Sequence, residues 1–469
     1  MDPRSISETL TANPFVAAAI LAVCGIIFLL ALKDRRYVLF AYLFFLPMAH
    51  MPIFAGRLVG IPGVSVQNLL MGLGLYAIFL TRSRKTRMDQ SLRRVLILYW
   101  IVVVAVVLHG MFYVDELTRF HIFENYGIYD FLRNYLFIPT LAWLSFVISY
   151  RYAAAGPGRA SEYLRYVGIA TIGYAILVLA SVAYYFVRIR DYNMVRDLVF
   201  FFLGSHSNEY SFAFVMVAPI LLAGAMSKWV VPWSDRILFW LALAGAGAAV
   251  LFSYSRSGYI GLALTAFGFA ILVKRSLLLL LVPAVVGLVL FSPASVTDRV
   301  QYGFDSTGES TNSEDSLNWN RISAGRLGMA DAAFGIITRD VGHILFGGGR
   351  LTFPRNTYLQ FGVEHPHNAY LEALIDAGIV GVVFIVAPFL LLFLRAIKGM
   401  RQMRTSEFRL FYAAATVSLG SYLLLGLTGR SFFPELSLAF VWQVSGFALG
   451  LLRYDVARAQ QQSQPSRIS

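Results

Sequence analysis

Three short runs hold the side chains best suited to chemistry. His365-Pro366-His367-Asn368 stands directly before a long apolar stretch. Ser253-Tyr254-Ser255-Arg256-Ser257-Gly258 stands between two others, and Ala324-Gly325-Arg326-Leu327 opens a helical pattern within a polar segment. An imidazole near its ordinary pKa can take a proton from a hydroxyl. A guanidinium offers a planar fork that binds phosphate oxygens bidentately. These types together offer a general base beside an anion clamp.

Each residue also has a plainer reading. Arg256 can be a snorkelling anchor in a headgroup layer. Arg326 can lie on a solvated helix face, and Arg321 competes with it for the same role. His365 can be a loop or cap residue, and His367 or Asn368 can cap the helix that follows Pro366. Two histidines separated by one proline are poorly spaced for shared ligation. With no Cys or third ligand nearby, no metal site is expected.

Three further groups are weaker candidates. Asp115 and Glu116 lie in an early loop without an Asp-x-Asp pattern. Glu372 and Asp376, four residues apart, share a helical face and can orient His367 or pair with basic groups. Arg188, Arg190 and Arg196 form a basic patch near Ser205–Glu209, suited to anionic lipid-linked substrate or to headgroups.

The elements that must position these residues are membrane spans. Hydrophobic residues make up 58% of the 469 and charged residues 14%, too little polar surface for a soluble chain of this length. Strict apolar–polar alternation is absent, which argues against a β-barrel. Apolar runs of roughly 20 residues cross a hydrocarbon core as helices. Thirteen are expected: Pro14–Leu32, Tyr37–Phe54, Val64–Leu80, Val95–Tyr113, Phe131–Tyr150, Leu164–Val187, Tyr210–Met226, Ile237–Ser253, Gly258–Val273, Leu277–Phe291, Ala369–Leu394, Phe411–Leu427 and Leu436–Leu452. The expected fold is an all-α polytopic bundle of about 12–13 spans. It divides into a membrane part over residues 1–291, a long loop over 292–368, further spans over 369–452 and a tail over 453–469.

Most of the 39 Lys and Arg fall in short loops on one side, including Arg82–Arg94 and Arg395–Arg409. That side is expected to be cytoplasmic and the long loop to face outward. The same bias accounts for the net charge of +13 without nucleic acid as a partner. The single cysteine, Cys24, lies in the first span and permits no intramolecular disulfide. Within the loop, Asp305–Asp315 is polar and acidic. Asn320–Thr338 reads as an amphipathic helix fit to lie on the membrane or roof the domain, and Phe346-Gly347-Gly348-Gly349 reads as a flexible turn.

Taken in order, Ser255-Arg256-Ser257-Gly258, Gly325-Arg326-Leu327, Phe346-Gly347-Gly348-Gly349 and His367-Asn368-Ala369-Tyr370-Leu371 resemble the O-antigen ligase and polymerase family of bacterial inner membranes. Glu372 and Gly378-Ile379-Val380-Gly381 continue the likeness, which covers roughly the C-terminal half. Met329-Ala330 departs from it, because the family often has a Trp nearby.

The resemblance implies a membrane glycosyltransferase without cofactor. It moves a polysaccharide from undecaprenyl pyrophosphate to an acceptor hydroxyl, such as that of lipid A core, at the periplasmic face. His367 is then base or acceptor-positioning residue, and Arg256 and Arg326 neutralise the leaving pyrophosphate. Arg321, His365, Asn368, Glu372 and Arg196 are expected to bind substrate, with the prenyl chain in an apolar groove among the spans. A repeat-unit polymerase of the same family is the alternative. A flippase or transporter is a further one, which would place charges near the midplane of the spans and often show a repeat.

Overall fold

In a computed structural model, the chain is mostly helical over its described residues, with no strand among them. The structure describes residues 36–49, 65–80, 88–119, 127–228, 231–273, 326–403, 405–429 and 431–463, and a few isolated positions outside these ranges. The expected spans Pro14–Leu32 and Leu277–Phe291 lie almost wholly outside the described residues. Cys24, the acidic run and Arg321 lie outside them altogether.

The elements follow in chain order. Helix α1 (Arg36–Phe45) runs into a short 3-10 turn, and α2 is Val66–Leu80. Both are apolar but shorter than a full span. Helix α3 (Gln90–Met111) starts at Asp89, whose carboxylate accepts from the Leu92 amide at 3.4 Å, as an N-cap does. The short α4 (Val114–Arg119) follows. Helix α5 (Ile128–Leu132) passes through one π turn at Arg133–Phe137 into α6 (Ile138–Ala154). Then come α7 (Pro157–Ile189), α8 (Tyr192–Leu203), α9 (Ser207–Met226), α10 (Trp233–Leu251) and α11 (Arg256–Val273).

Beyond the undescribed stretch lie three short helices, α12 (Arg326–Ile337), α13 (Val341–Phe346) and α14 (Thr352–Phe361). The long α15 (Ala369–Gln402), α16 (Ser406–Leu425) and α17 (Ala439–Ser463) complete the chain.

Among the described residues, eight helices are long and apolar enough to cross a membrane. The protein is a multi-pass membrane protein. Backbone groups in lipid must be satisfied internally, which is why the spans are helical. Helix α17 packs lengthwise on α6. Gly446 and Gly450, four residues apart, let its backbone approach Phe146 and Tyr150 of α6, as small residues do in membrane bundles.

The bundle has two ends that differ in their contacts. At one, Arg395 reaches Asp89 at 3.2 Å, Arg165 pairs with Asp235 at 2.9 Å, and the Lys228 amide donates to Glu407 at 2.7 Å. The other end carries α12 to α14 and the starts of α9, α11 and α15. There a second, smaller core forms from Met329, Ala333, Ile336 and Ile337 of α12 with Phe353 of α14 and Ile375 of α15. Helix α12 therefore packs on protein through these residues. Leu327 and Phe334, also on its expected apolar face, are exposed.

Candidate functional site at the loop end of the bundle

The junction before Arg256 is fixed by hydroxyls. Tyr254 takes a left-handed backbone conformation at φ 54°, and Ser255 turns the chain into α11. The Ser255 hydroxyl accepts from the Gly258 amide at 3.0 Å and donates to the Asn208 side-chain oxygen at 2.6 Å. Gly258 leaves room for Ser211 of α9, which a Cβ would meet at 2.8 Å. Arg256 is thus the first residue of a helix clamped to the first turn of α9. A cation is unfavourable beside the positive end of its own helix dipole. The guanidinium and the helix end, both positive, together favour an anion.

Arg326, first residue of α12, is half-buried. Burial and the nearby Arg256 guanidinium hold its pKa below the usual arginine range. Residues 257–325 separate these two cations in sequence, yet the fold brings them near enough to feel each other's charge.

The histidine pair sits where α15 begins. Asn368 is the N-cap, and its side-chain oxygen accepts from the Tyr370 and Leu371 amides at 3.0 and 3.1 Å. His367 has φ 51°, a conformation that costs a non-glycine residue energy and persists only where surroundings hold it. Gly429 packs on it, with space that a Cβ would fill to 3.3 Å from His367 Nδ1. The His365 and His367 rings meet edge to face at 4.6 Å. Glu364, just before them, reaches solvent at its surface. Crowding by the surrounding protein, then the Glu209 carboxylate, pushes its pKa above the usual carboxylate range.

Glu209 belongs to the first turn of α9, where it closes a capping box on the His206 amide at 3.0 Å. Neighbouring residues of that turn therefore touch the Arg256 junction through Asn208 and influence the histidine segment through Glu209.

The glycine run differs from expectation. Phe346-Gly347-Gly348-Gly349 is no flexible turn, since its backbone is pressed against two helices. Gly378 breaks α15 at φ 65°, so carbonyls just before it lack their helical partners. The Gly348 amide donates to Ile375 O at 2.9 Å and the Gly349 amide to Asp376 O at 3.0 Å. Gly347 and Gly349, at φ 70° and 87°, face Asp376 and Gly110 backbone respectively, where no side chain fits.

This knot delivers Arg350, which the sequence reading missed, into the interior. Its amide donates to Val106 O at 3.0 Å, and its guanidinium donates to both Glu372 and Asp376, the latter at 2.8 Å. The Phe433 ring lies 4.3 Å away and the Tyr135 ring 5.2 Å. Burial pulls the Arg350 pKa down, but the two carboxylates more than reverse this and hold it above the ordinary value. Relative exposures of 6%, 7% and 1% for Arg350, Glu372 and Asp376 show that the whole cluster is buried. Of the two roles open to Glu372 and Asp376, pairing with a basic group is present, through Arg350. Glu372 also lies close enough to His365 for their charges to interact.

Arg196, on α8, pairs with Asp197 at 3.2 Å and lies near enough to Tyr210, in the first turn of α9, for its charge to act there. Glu116 of α4 pairs with Arg355 of α14 at 3.4 Å, so the early acidic loop helps anchor α14.

Comparison with known families gives one match. Residues 237–386 fit the profile of the family described as O-Antigen ligase, a stretch running from α10 into α15 and holding Arg256, Arg326, His365, His367 and Glu372. The chain matches no curated protein. Through residues 237–386, about a third of its length, this membrane protein is similar to the O-antigen ligase family.

Proposed function

We propose that the protein is an O-antigen ligase-like glycosyltransferase of the bacterial inner membrane. It would move a polysaccharide from undecaprenyl pyrophosphate to an acceptor hydroxyl, that of lipid A core, at the periplasmic face. One observation carries this reading. Arg256 and Arg326 are half-buried like charges brought together across a long stretch of chain. Such an arrangement costs energy unless a multiply charged anion lies between them. A pyrophosphate leaving group is that anion.

In the proposed step, the acceptor oxygen attacks the anomeric carbon of the donor glycan. The bond from that carbon to the pyrophosphate oxygen breaks, and undecaprenyl pyrophosphate leaves with its electrons. His367 takes the hydroxyl proton and later releases it to water. Arg256 and Arg326 oppose the charge that builds on the leaving oxygens. Asn368 fixes where α15 begins, and Gly429 with His365 holds the His367 ring. Arg321, by the sequence reading, adds to the anion clamp, and Arg196 to the capture of lipid-linked substrate.

Deletion of the gene and electrophoresis of lipopolysaccharide tests this reading in cells. Loss of all polymer on the core, restored by the wild-type gene but not by His367→Ala, is expected. A band carrying a single repeat would instead identify a polymerase. Unchanged lipopolysaccharide would overturn the assignment of lipid A core as acceptor.

A further inference from the structure

The first turn of α9, tied to the Arg256 junction through Asn208, also contributes Glu209 to a partly open cavity of about 380 Å³, within the range of small-molecule sites (~300–1,000 Å3). Planar polar side chains line it: Gln67, Arg133, Asn134, Glu209 and Glu435. Tyr135 and Phe433 add aromatic walls, and Arg350 contributes to the lining between them. Arg133 is set by a 2.6 Å hydrogen bond to Gln67, which itself donates to Ala49 O at 2.6 Å.

The charge of this cavity is opposite in character to that of the Arg256–Arg326 pair. Its two guanidinium groups face two carboxylates, and Arg350 is already offset by Glu372 and Asp376 behind it. A phosphate here would meet Glu209 and Glu435 with Arg133 alone to set against them, since Arg350 is already paired. Amide, carboxylate and guanidinium groups with an aromatic face instead suit the hydroxyls and apolar face of an uncharged sugar ring. We propose that this cavity is a saccharide subsite for one substrate of the transferase, discriminating against phosphorylated sugars. The inference rests on the transferase reading and separates the two substrates: pyrophosphate at Arg256 and Arg326, a neutral sugar in this cavity.

The test uses full-length protein in nanodiscs and saturation-transfer NMR with methyl glucoside, methyl galactoside, methyl N-acetylglucosaminide and glucose 6-phosphate. At least one neutral glycoside should bind. Its affinity should fall about tenfold in Asn134→Ala, through loss of hydrogen bonds to the ring. Glucose 6-phosphate should bind more weakly than the neutral sugars, and Glu435→Gln should narrow that gap. Arg256→Ala should keep saccharide binding.

Steady-state transfer then identifies the source. A KM raised for acceptor alone in Asn134→Ala marks an acceptor sugar, and one raised for donor alone marks a donor sugar. Tighter binding of the 6-phosphate, or an Asn134→Ala protein with unchanged saccharide affinity and both KM values unchanged, would overturn the proposal. Normal transfer by Arg256→Ala alongside a saccharide-binding cavity would sink the transferase mechanism and leave the subsite standing.

Discussion

Arg256, Arg326 and His367 each depart from what their local position would select. Arg256 opens a helix whose dipole opposes it, Arg326 is half-buried beside it, and His367 holds a left-handed backbone. Such departures are expected where binding rather than stability chose the residue. Replacing either arginine by alanine should lower turnover by about 100- to 1000-fold, the typical cost of removing one group that stabilises developing charge. Lysine at either position keeps the charge but loses the bidentate fork, so an intermediate loss is expected. Single-turnover transfer kinetics on purified variants would check both. These three residues could be proposed from sequence because each sits in a short run with distinctive neighbours. Arg350 was not, because its carboxylate partners lie 22 and 26 residues away and only the tertiary fold brings them together. The arginine directly after three glycines was the available signal.

At the scale of elements, the break in α15 and the glycine run form one joint. A Cβ at Gly378 would collide with the Leu345–Phe346 backbone, and the position also needs φ 65°. Gly378→Ala should destabilise the protein by about 1–3 kcal/mol or more, read as a lower melting temperature in detergent. Gly335→Ala, in open space within α12, should be neutral or slightly stabilising. The buried ion cluster makes a second prediction. Arg350→Ala strands two buried carboxylates and should cost about 3–5 kcal/mol. Adding Glu372→Gln and Asp376→Asn should recover part of that loss, because the uncompensated charges are gone. A triple variant no more stable than Arg350→Ala would argue against the electrostatic account. The sequence pattern located most helices well, since long apolar periodicity is a strong signal. It misread the glycines as flexible because glycine marks both a free turn and a backbone contact, and composition alone does not separate them.

Over the whole molecule, charge and apolar surface divide two ends of one bundle. From the positive-inside bias of the sequence we propose that the end bearing α12 to α14 lies outside. In a Cys24→Ser background, which removes the one native thiol, a cysteine at exposed Arg339 should react with a membrane-impermeant maleimide applied to intact spheroplasts. One at exposed Arg401 should react only after the membrane is opened. The reverse pattern would invert the topology and put the proposed site on the wrong face for a lipid-linked polymer already exported. Among the described residues, α1 and α2 are apolar but shorter than a full span.

The central claim is that His367 and the Arg256–Arg326 pair carry out glycan transfer. Purified protein in nanodiscs, given lipid-linked glycan and acceptor, measures it directly. The account predicts that His367→Ala lowers the transfer rate about 100- to 10,000-fold, the span of general-base contributions, while the variant still binds the donor and melts near the wild-type temperature. A His367→Ala protein that transfers glycan at the wild-type rate would contradict it.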